Sequence, residues 1–184
     1  MSAADEQHLI LQAKEGSHEA YRLLVNRHMK QAYDVAFRFV GNHHGAEDIT
    51  QEAFVRAHRS LPRFRGEAGF GTWLYRIIMN VSFNWLKQNK RRTAREVRDI
   101  DPEMHATGRY DETDSMDRKL HLERALHELP TLQRATVILR HLDGLSTAQV
   151  STILQCSEGT VKTHLFRGLK KLRTKLAFLK DEVE

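Results

Sequence analysis

Two groups of side chains have types and spacing that could do chemistry, and in both the chemistry is non-covalent. On one narrow helical arc lie Arg76, Asn80, Phe83 and Lys87, with Trp73 and Asn84 at its edge. Rings stack on unstacked bases, amides meet base edges, and Arg or Lys holds phosphates, so this combination suits a separated strand. Just upstream, the loop Phe64–Phe70, which carries Arg65, could shape a pocket for an extruded base. Aromatic residues at helical spacing also serve as core, and that explanation competes for Trp73 and Trp85. The neighbouring run Lys90-Arg91-Arg92 favours a nucleic-acid face.

The second group lies in LSTAQVSTILQCSEGTVKTHLFRGLKKLRTKL, residues 145–176. At about 100° per residue, Val161, Leu165, Leu169, Leu172 and Leu176 share one face. Thr163, Arg167, Lys170 and Thr174 fall opposite, with Lys162 and Phe166 along a flank. Cationic and hydroxyl side chains on such a face can meet guanine, phosphate or a thymine methyl in the major groove. A solvated amphipathic helix is the competing explanation. Against it stands the preceding segment. Ser146 can cap a short helix carrying Val150, Ile153 and Leu154, QCSEG makes a tight turn, and Ser157 can cap the next helix. This is the helix-turn-helix layout.

Covalent chemistry finds no comparable support. No nucleotide loop, catalytic triad or HExxH occurs, so neither an enzyme nor a cofactor is expected. His43-His44, in the turn GNHHG, lack metal-ligand spacing, and His28 lies on an apolar stripe as a core histidine. Cys156, the single cysteine, reads as a small turn residue and excludes a disulfide framework. A reducing, cytoplasmic setting fits best.

Apolar periodicity places helices at 5–16, 18–40, 46–60, 70–89, 119–129, 131–142, 146–154 and 158–179. The 46–60 helix carries acids in its first turn and presents Asp48, Gln51 and Glu52 on a polar face. Residues 95–118 lack apolar periodicity, hold Pro102, Gly108 and many acids, and read as a flexible linker. The expected fold is all-α: two small helical domains, 1–94 and 119–184, joined by this acidic linker of residues 95–118, the second domain holding the helix-turn-helix.

Charge reinforces the division. The 184 residues carry 29 Lys/Arg against 24 Asp/Glu, a formal charge of +5. Residues 87–98 hold six basic groups and one acid, 157–180 seven and one, while 99–118 hold seven acids and two arginines. Two basic clusters around an acidic stretch suggest two surfaces that meet polyanions. No long charge-free apolar run is present, so no membrane span is expected.

With these residues in place, the chain resembles an extracytoplasmic-function (ECF) sigma factor of the bacterial sigma-70 family. AEDITQEAFVRAHRSL is similar to the family's region 2.2, FRGEAGFGTWLYRIIMNVSFNWLKQNKRR to regions 2.3 and 2.4, and LPTLQRATVILRHLDGLSTAQVSTILQCSEGTVKTHLFRGLKKLR to region 4. The resemblance implies that Asp48, Gln51 and Glu52 dock on the clamp helices of the β′ subunit of core RNA polymerase. It implies that Phe64, Arg65, Phe70, Arg76, Asn80 and Asn84 melt and hold the −10 element of promoter DNA; Lys87, from the basic arc, joins them. It implies that Lys162, Thr163, Phe166 and Arg167 read the −35 element, with Lys170 on the same face, and that this region also contacts the β flap. Control by an anti-sigma factor is implied as well. Gly71, His58 and the pair Ala148-Gln149 depart from common family residues.

A stand-alone helix-turn-helix regulator stays open as an alternative, since it would need nothing from residues 61–92. So does a protein-interaction module built on helix 46–60. Two exposed basic faces would attract DNA nonspecifically, so the halves of the free chain are expected to close on each other or on an inhibitor.

Overall fold

The computed structural model describes residues 3–96 and 114–180. Among them the regular structure is helical: α1 (Ala3–Lys14), α2 (His18–Val40), α3 (His43–Ser60), α4 (Phe70–Glu96), α5 (Asp114–His127), α6 (Thr131–Val137), α7 (Thr147–Leu154) and α8 (Glu158–Lys175). Short turns of 3-10 helix follow α3 (Leu61–Arg63) and α8 (Ala177–Lys180). No described helix is long and apolar enough to cross a membrane.

Local chemistry sets the boundaries. Ser17 caps α2 by accepting from the Ala20 N–H, and Gly41 ends it in the left-handed region at φ 80°. The Asn42 side chain then accepts from the Gly45 N–H at 2.7 Å. That cap starts α3 at His43, so His43 and His44 form a first helical turn instead of the connecting turn expected for them. Beyond position 89, residues 90–96 hold no Pro or Gly, and α4 continues to Glu96. The expected single helix over 131–142 is instead α6 followed by a π-helical turn, Ile138–Leu142. Helix α5 begins at Asp114, within the stretch read as linker, and residues 97–113 lie outside the described residues.

Helices α2, α3 and α4 pack around Val35, Phe39, Ile49, Ala53, Leu74 and Ile78, with α1 laid across α2. The same apolar cluster continues into Ile138, Leu139, Val150, Ile153 and Val161, so the N-terminal and C-terminal halves share one core. A smaller cluster of Ala125, Leu126, Leu129, Val137 and Leu172 ties α5 and α6 to α8. Closure of the halves on each other is therefore what this structure describes.

Packing of the halves overrides the simple periodic assignment in places. Leu132 falls on the apolar period of its helix yet is 45% exposed, whereas Gln133 and Arg134 are buried. Arg134 turns inward to donate to the Phe39 carbonyl at 2.7 Å, with its guanidinium 5.5 Å from the Phe39 ring. Leu142 and Val55, apolar by type, also lie at the surface. His28 meets its expectation: it is buried against Phe70 and within 3.2 Å of the Glu6 carboxylate.

The contact between halves is also polar. Arg38 on α2 pairs with Asp143, after the π turn, at 2.9 Å. The His127 ring lies over Gly41, where an added Cβ would sit 2.5 Å from ring atoms. Burial pushes the Asp143 carboxyl up to about 6 despite Arg38. Burial, helped by Arg134, pushes His127 down to about 4.

These two groups oppose each other in acid. A carboxyl with a raised folded pKa contributes stability below its unfolded value and loses it as pH rises through the folded one. A histidine with a depressed folded pKa destabilises the fold increasingly as pH falls below its unfolded value. Between pH 7 and 5 the two contributions largely cancel. Asp143→Asn removes the gain and keeps the His127 penalty. The variant is expected to lose about 1 kcal/mol more than the parent between these pH values. Thermal unfolding at both pH values measures this, and equal pH dependence in the two proteins would refute the assignment.

Candidate nucleic-acid interface

The helix-turn-helix is built from short-range hydrogen bonds. Ser146 accepts from the Gln149 N–H at 3.2 Å, and Gln149 Oε1 accepts from the Ser146 N–H at 2.8 Å, a complete capping box at the start of α7. Gln149 thus does at the cap what an acidic residue would do. Gln155 ends α7 in the left-handed region at φ 53°, and Ser151 Oγ donates to the Cys156 carbonyl at 2.6 Å. Ser157 then caps α8 by accepting from the Thr160 N–H at 3.1 Å. Cys156 occupies the turn, half buried, with burial raising its thiol pKa.

Val161 and Leu172 bury the inner side of α8, and Lys162, Thr163, Phe166, Arg167 and Lys170 all point outward. Phe166 is 70% exposed, a large ring held in solvent on a cationic face. Arg167 and Lys170, with Lys171 and Thr174, edge a groove that continues towards Glu128 and Gln133. Thr163 also donates from its hydroxyl to the Gly159 carbonyl at 2.9 Å, which leaves its methyl and its oxygen's acceptor capacity free.

In the N-terminal half, the loop before α4 folds over a hollow lined by Phe64, Arg65, Trp73 and Arg76, with Thr152 of α7 on its rim. Phe64 packs on Trp73 (centroids 4.9 Å) and edge-on to Phe70 (6.1 Å). Lys14 Nζ donates to the Phe64 carbonyl at 3.0 Å and pins this loop to α1. Phe70 is 1% exposed and lies beneath the other two rings. It braces the hollow and offers no surface to a ligand, because the first turn of α4 faces α2. Gly71 is not demanded by space: a Cβ there would approach nothing nearer than His28 at 3.8 Å.

Arg76, Asn80, Asn84 and Lys87 form one exposed line along α4. The structure divides them, however. Arg76 borders the loop hollow, while Asn84 lines a separate groove between α3 and α4 with Asp48, Gln51 and Glu52. Val55 and Trp85 give that groove an apolar floor, and Arg56 pairs with Glu52 at 2.7 Å. Lys14, Arg134, Asp143 and Gln155 were not singled out from sequence. Their roles arise from contacts across the fold, and no local spacing signals them.

A capped helix-turn-helix with a cationic outer face, joined to a helical unit that holds an aromatic hollow, defines a two-part DNA-binding protein. Residues 24–92 match the family model for sigma-70 region 2, and residues 119–172 match that for sigma-70 region 4. The chain is 33% identical over 180 residues to the ECF RNA polymerase sigma-E factor of Escherichia coli K12, covering 93% of this chain and 94% of that one. It is 32% identical to the sigma-E factor of Haemophilus influenzae, covering 93% and 95%. Among solved structures, CnrH in complex with the cytosolic domain of CnrY shares the fold (TM-score 0.71, 22% identity, 94% and 97% coverage). So does the sigma factor RpoE bound to the anti-sigma factor NepR from Bartonella quintana (TM-score 0.64, 23% identity, 85% and 96% coverage). The chain belongs to the sigma-70 family, within its ECF group.

Proposed function

We propose that this protein directs core RNA polymerase to promoters, reading duplex DNA with α8 and holding an unstacked non-template base in the loop hollow before α4. Residues 1–94 would form the unit that binds polymerase and the −10 element, residues 95–118 the tether, and residues 119–184 the unit that binds the −35 element. The observation that carries the reading is the coexistence of two different nucleic-acid faces on one chain. The exposed cationic face of α8 suits a major groove, and the hollow of Phe64, Arg65, Trp73 and Arg76 suits a single base.

The acidic groove of Asp48, Gln51 and Glu52 docks on the polymerase clamp, with Asn84 at its edge. Arg65, Arg76, Asn80 and Asn84 contact the separated strand and Lys87 its phosphates, while Phe64 and Phe70 shape the pocket from below. Lys162, Thr163, Phe166, Arg167 and Lys170 meet the −35 duplex. Strand separation exchanges base stacking in DNA for stacking and hydrogen bonds on protein, so the chain needs no nucleophile, metal or cofactor and is not an enzyme. It works in the cytoplasm, where its polymerase is. A solved structure of the same fold, the sigma factor RpoE with the anti-sigma factor NepR, supports control by such an inhibitor.

Run-off transcription with core polymerase plus this chain on a genomic fragment library tests the reading and yields the promoter. Transcripts that start at defined sites only when the chain is present support it; none would refute it. A stand-alone regulator would bind duplex sites without polymerase and would tolerate changes in residues 61–92.

Salt dependence separates phosphate contacts from base contacts. Lys170→Ala is expected to weaken −35 duplex binding across all sequences and to lower the slope of log K against log salt by about 1. Fluorescence anisotropy from low to moderate salt measures it, and an unchanged slope would remove Lys170 from the interface.

A further inference from the structure

Helix α1 contributes no residue to the lining of the base hollow, yet side chains from both of its ends hold the hollow's framework. In its last turn, Lys14 Nζ donates to the carbonyl of Phe64, 50 residues on, at 3.0 Å. Near its start, one Glu6 oxygen accepts from Arg27 Nε at 2.8 Å and lies 3.2 Å from His28 Nε2. Between the two ends, Leu9 and Ile10 are buried in the core that also takes Leu61 and Phe64, so α1 is seated between its tethers.

The Glu6 contact reaches the hollow through two rings. Burial keeps the His28 pKa below the ordinary value, and Glu6 opposes that shift. In its neutral form the ring meets the carboxylate through Nε2–H, since a carboxylate only accepts. The His28 ring packs on Phe70, with centroids 5.1 Å apart. Phe70 in turn lies 5.4 Å from Trp73 and 6.1 Å from Phe64, the two rings that line the hollow.

The Lys14 contact holds a loop with few other supports. The Phe64 N–H bonds back to the Leu61 carbonyl at 2.9 Å, and the next backbone anchor is the Trp73 N–H on the Gly69 carbonyl at 3.1 Å. Between them Gly66 turns at φ 74°, and at both Gly66 and Gly69 an added Cβ would meet nothing within 4 Å. Arg65 and Glu67 pair at 3.7 Å with both side chains largely in solvent. The loop therefore stands clear of the body, and its stem at Phe64 is where a bond from outside can set its height. A charged donor such as Lys14 makes the stronger kind of hydrogen bond there.

A site that stacks a base works only if its rings are held to within about 0.5 Å by side chains that are themselves locked. We propose that α1 is the positioning brace of the base hollow: Lys14 fixes the stem of its loop, and Glu6, through His28 and Phe70, fixes its floor. This rests on reading the hollow as a base site. It adds three positioning residues, Glu6, Lys14 and His28, none of which lines the pocket. The other faces do not depend on the brace, because the groove of Asp48, Gln51 and Glu52 is lined by α3 and α4, and the −35 face belongs to α8. If the unbraced loop holds the capturing position a tenth of the time, strand capture weakens about tenfold.

The test uses the full chain. Lys14→Met keeps the aliphatic stem and removes the donor, Lys14→Arg restores a charged donor, and Glu6→Ala removes the acceptor of His28. One readout is amide hydrogen exchange over residues 64–73, which involves no DNA. The other is permanganate reactivity of −10 thymines with core polymerase, on the promoter that run-off transcription yields, with Arg76→Ala/Asn80→Ala as the reference for a lost strand contact.

Lys14→Met and Glu6→Ala should each speed exchange over 64–73 and lower opening by about tenfold, with Lys14→Arg close to the parent. Duplex binding, polymerase docking and exchange in α2 and α3 should match the parent. Unchanged exchange over 64–73 in Lys14→Met overturns the brace, whatever the DNA does. So does faster exchange spread equally over α2 and α3 and not repaired by Lys14→Arg, which would make Lys14 a residue of general stability. Local exchange that rises while opening falls only in the reference variant also overturns it. Local exchange that rises while opening is unchanged in every variant, the reference included, supports α1 as the loop's anchor and overturns the reading of the hollow as a base site.

Discussion

Gly168→Val should strongly destabilise the C-terminal half. Gly168 is buried in the middle of α8, where glycine costs a helix about 1 kcal/mol relative to alanine. Its presence is explained by packing. An added Cβ would lie 2.8 Å from Val137 Cγ2 and 3.5 Å from both the Cβ and the carbonyl oxygen of Gln133. Val137 and Gln133 are themselves buried, so neither can swing into solvent. Helices α6 and α8 must therefore separate to admit a side chain, and the cluster of Leu126, Leu129, Val137 and Leu172 opens with them.

Overpacking of this kind costs about 1–3 kcal/mol, and valine adds its β-branch to an already tight site, so a loss of about 3 kcal/mol is expected. That is a large part of the margin of a small helical unit. Thermal unfolding followed by circular dichroism reads it. Pairing the change with Val137→Ala removes the opposing methyls, and the double variant should lose less than the sum of the two single ones. Additive losses would mean that the contact does not limit the approach of α6 and α8. The same variant should lose −35 duplex binding, because α8 presents Lys162, Phe166 and Arg167 only while its inner face is seated.

The second large effect is functional and leaves the fold intact. Arg76→Ala combined with Asn80→Ala removes two exposed side chains from α4, neither of which contributes to the core. Loss of one held base costs about 1–3 kcal/mol, or roughly 5- to 150-fold. Promoter opening, followed as permanganate reactivity of thymines in the −10 region with polymerase present, should fall by that order. Binding of the −35 duplex and the unfolding temperature should stay unchanged. If the double variant opens promoters as well as the parent, the α4 line does not hold the strand.

Much of this was legible in the residues. The caps at Ser17, Ser146 and Ser157 and the glycine stop at Gly41 act within a few positions of themselves, so helix starts and stops follow from chain-local hydrogen bonds. The outward set of α8 follows from helical period alone, because that helix has one wet side. Asp48, Gln51 and Glu52 were placed for the same reason. Asn42 shows where local signals compete: its cap drew His43 and His44 into α3, although the GNHHG run reads equally well as a turn.

Tertiary structure decided what two elements do to each other. Helical period cannot tell Leu132, exposed at 45%, from Arg134, buried and bonded to the carbonyl of Phe39, because the burying surface comes from a residue 95 positions away. Nor can it show that Phe70 braces the hollow from beneath while Arg76 lines it, or that Asn84 also lines the groove between α3 and α4. The pairing of Arg38 with Asp143 and the seating of α7 over Thr72 and Arg76 likewise join segments far apart in the chain. Chain-local hydrogen bonds and period are short-range and repeat within a helix, so residue order alone reveals them. Desolvation and ion pairing across a packed interface depend on which surfaces meet, and only the folded arrangement brings those surfaces together.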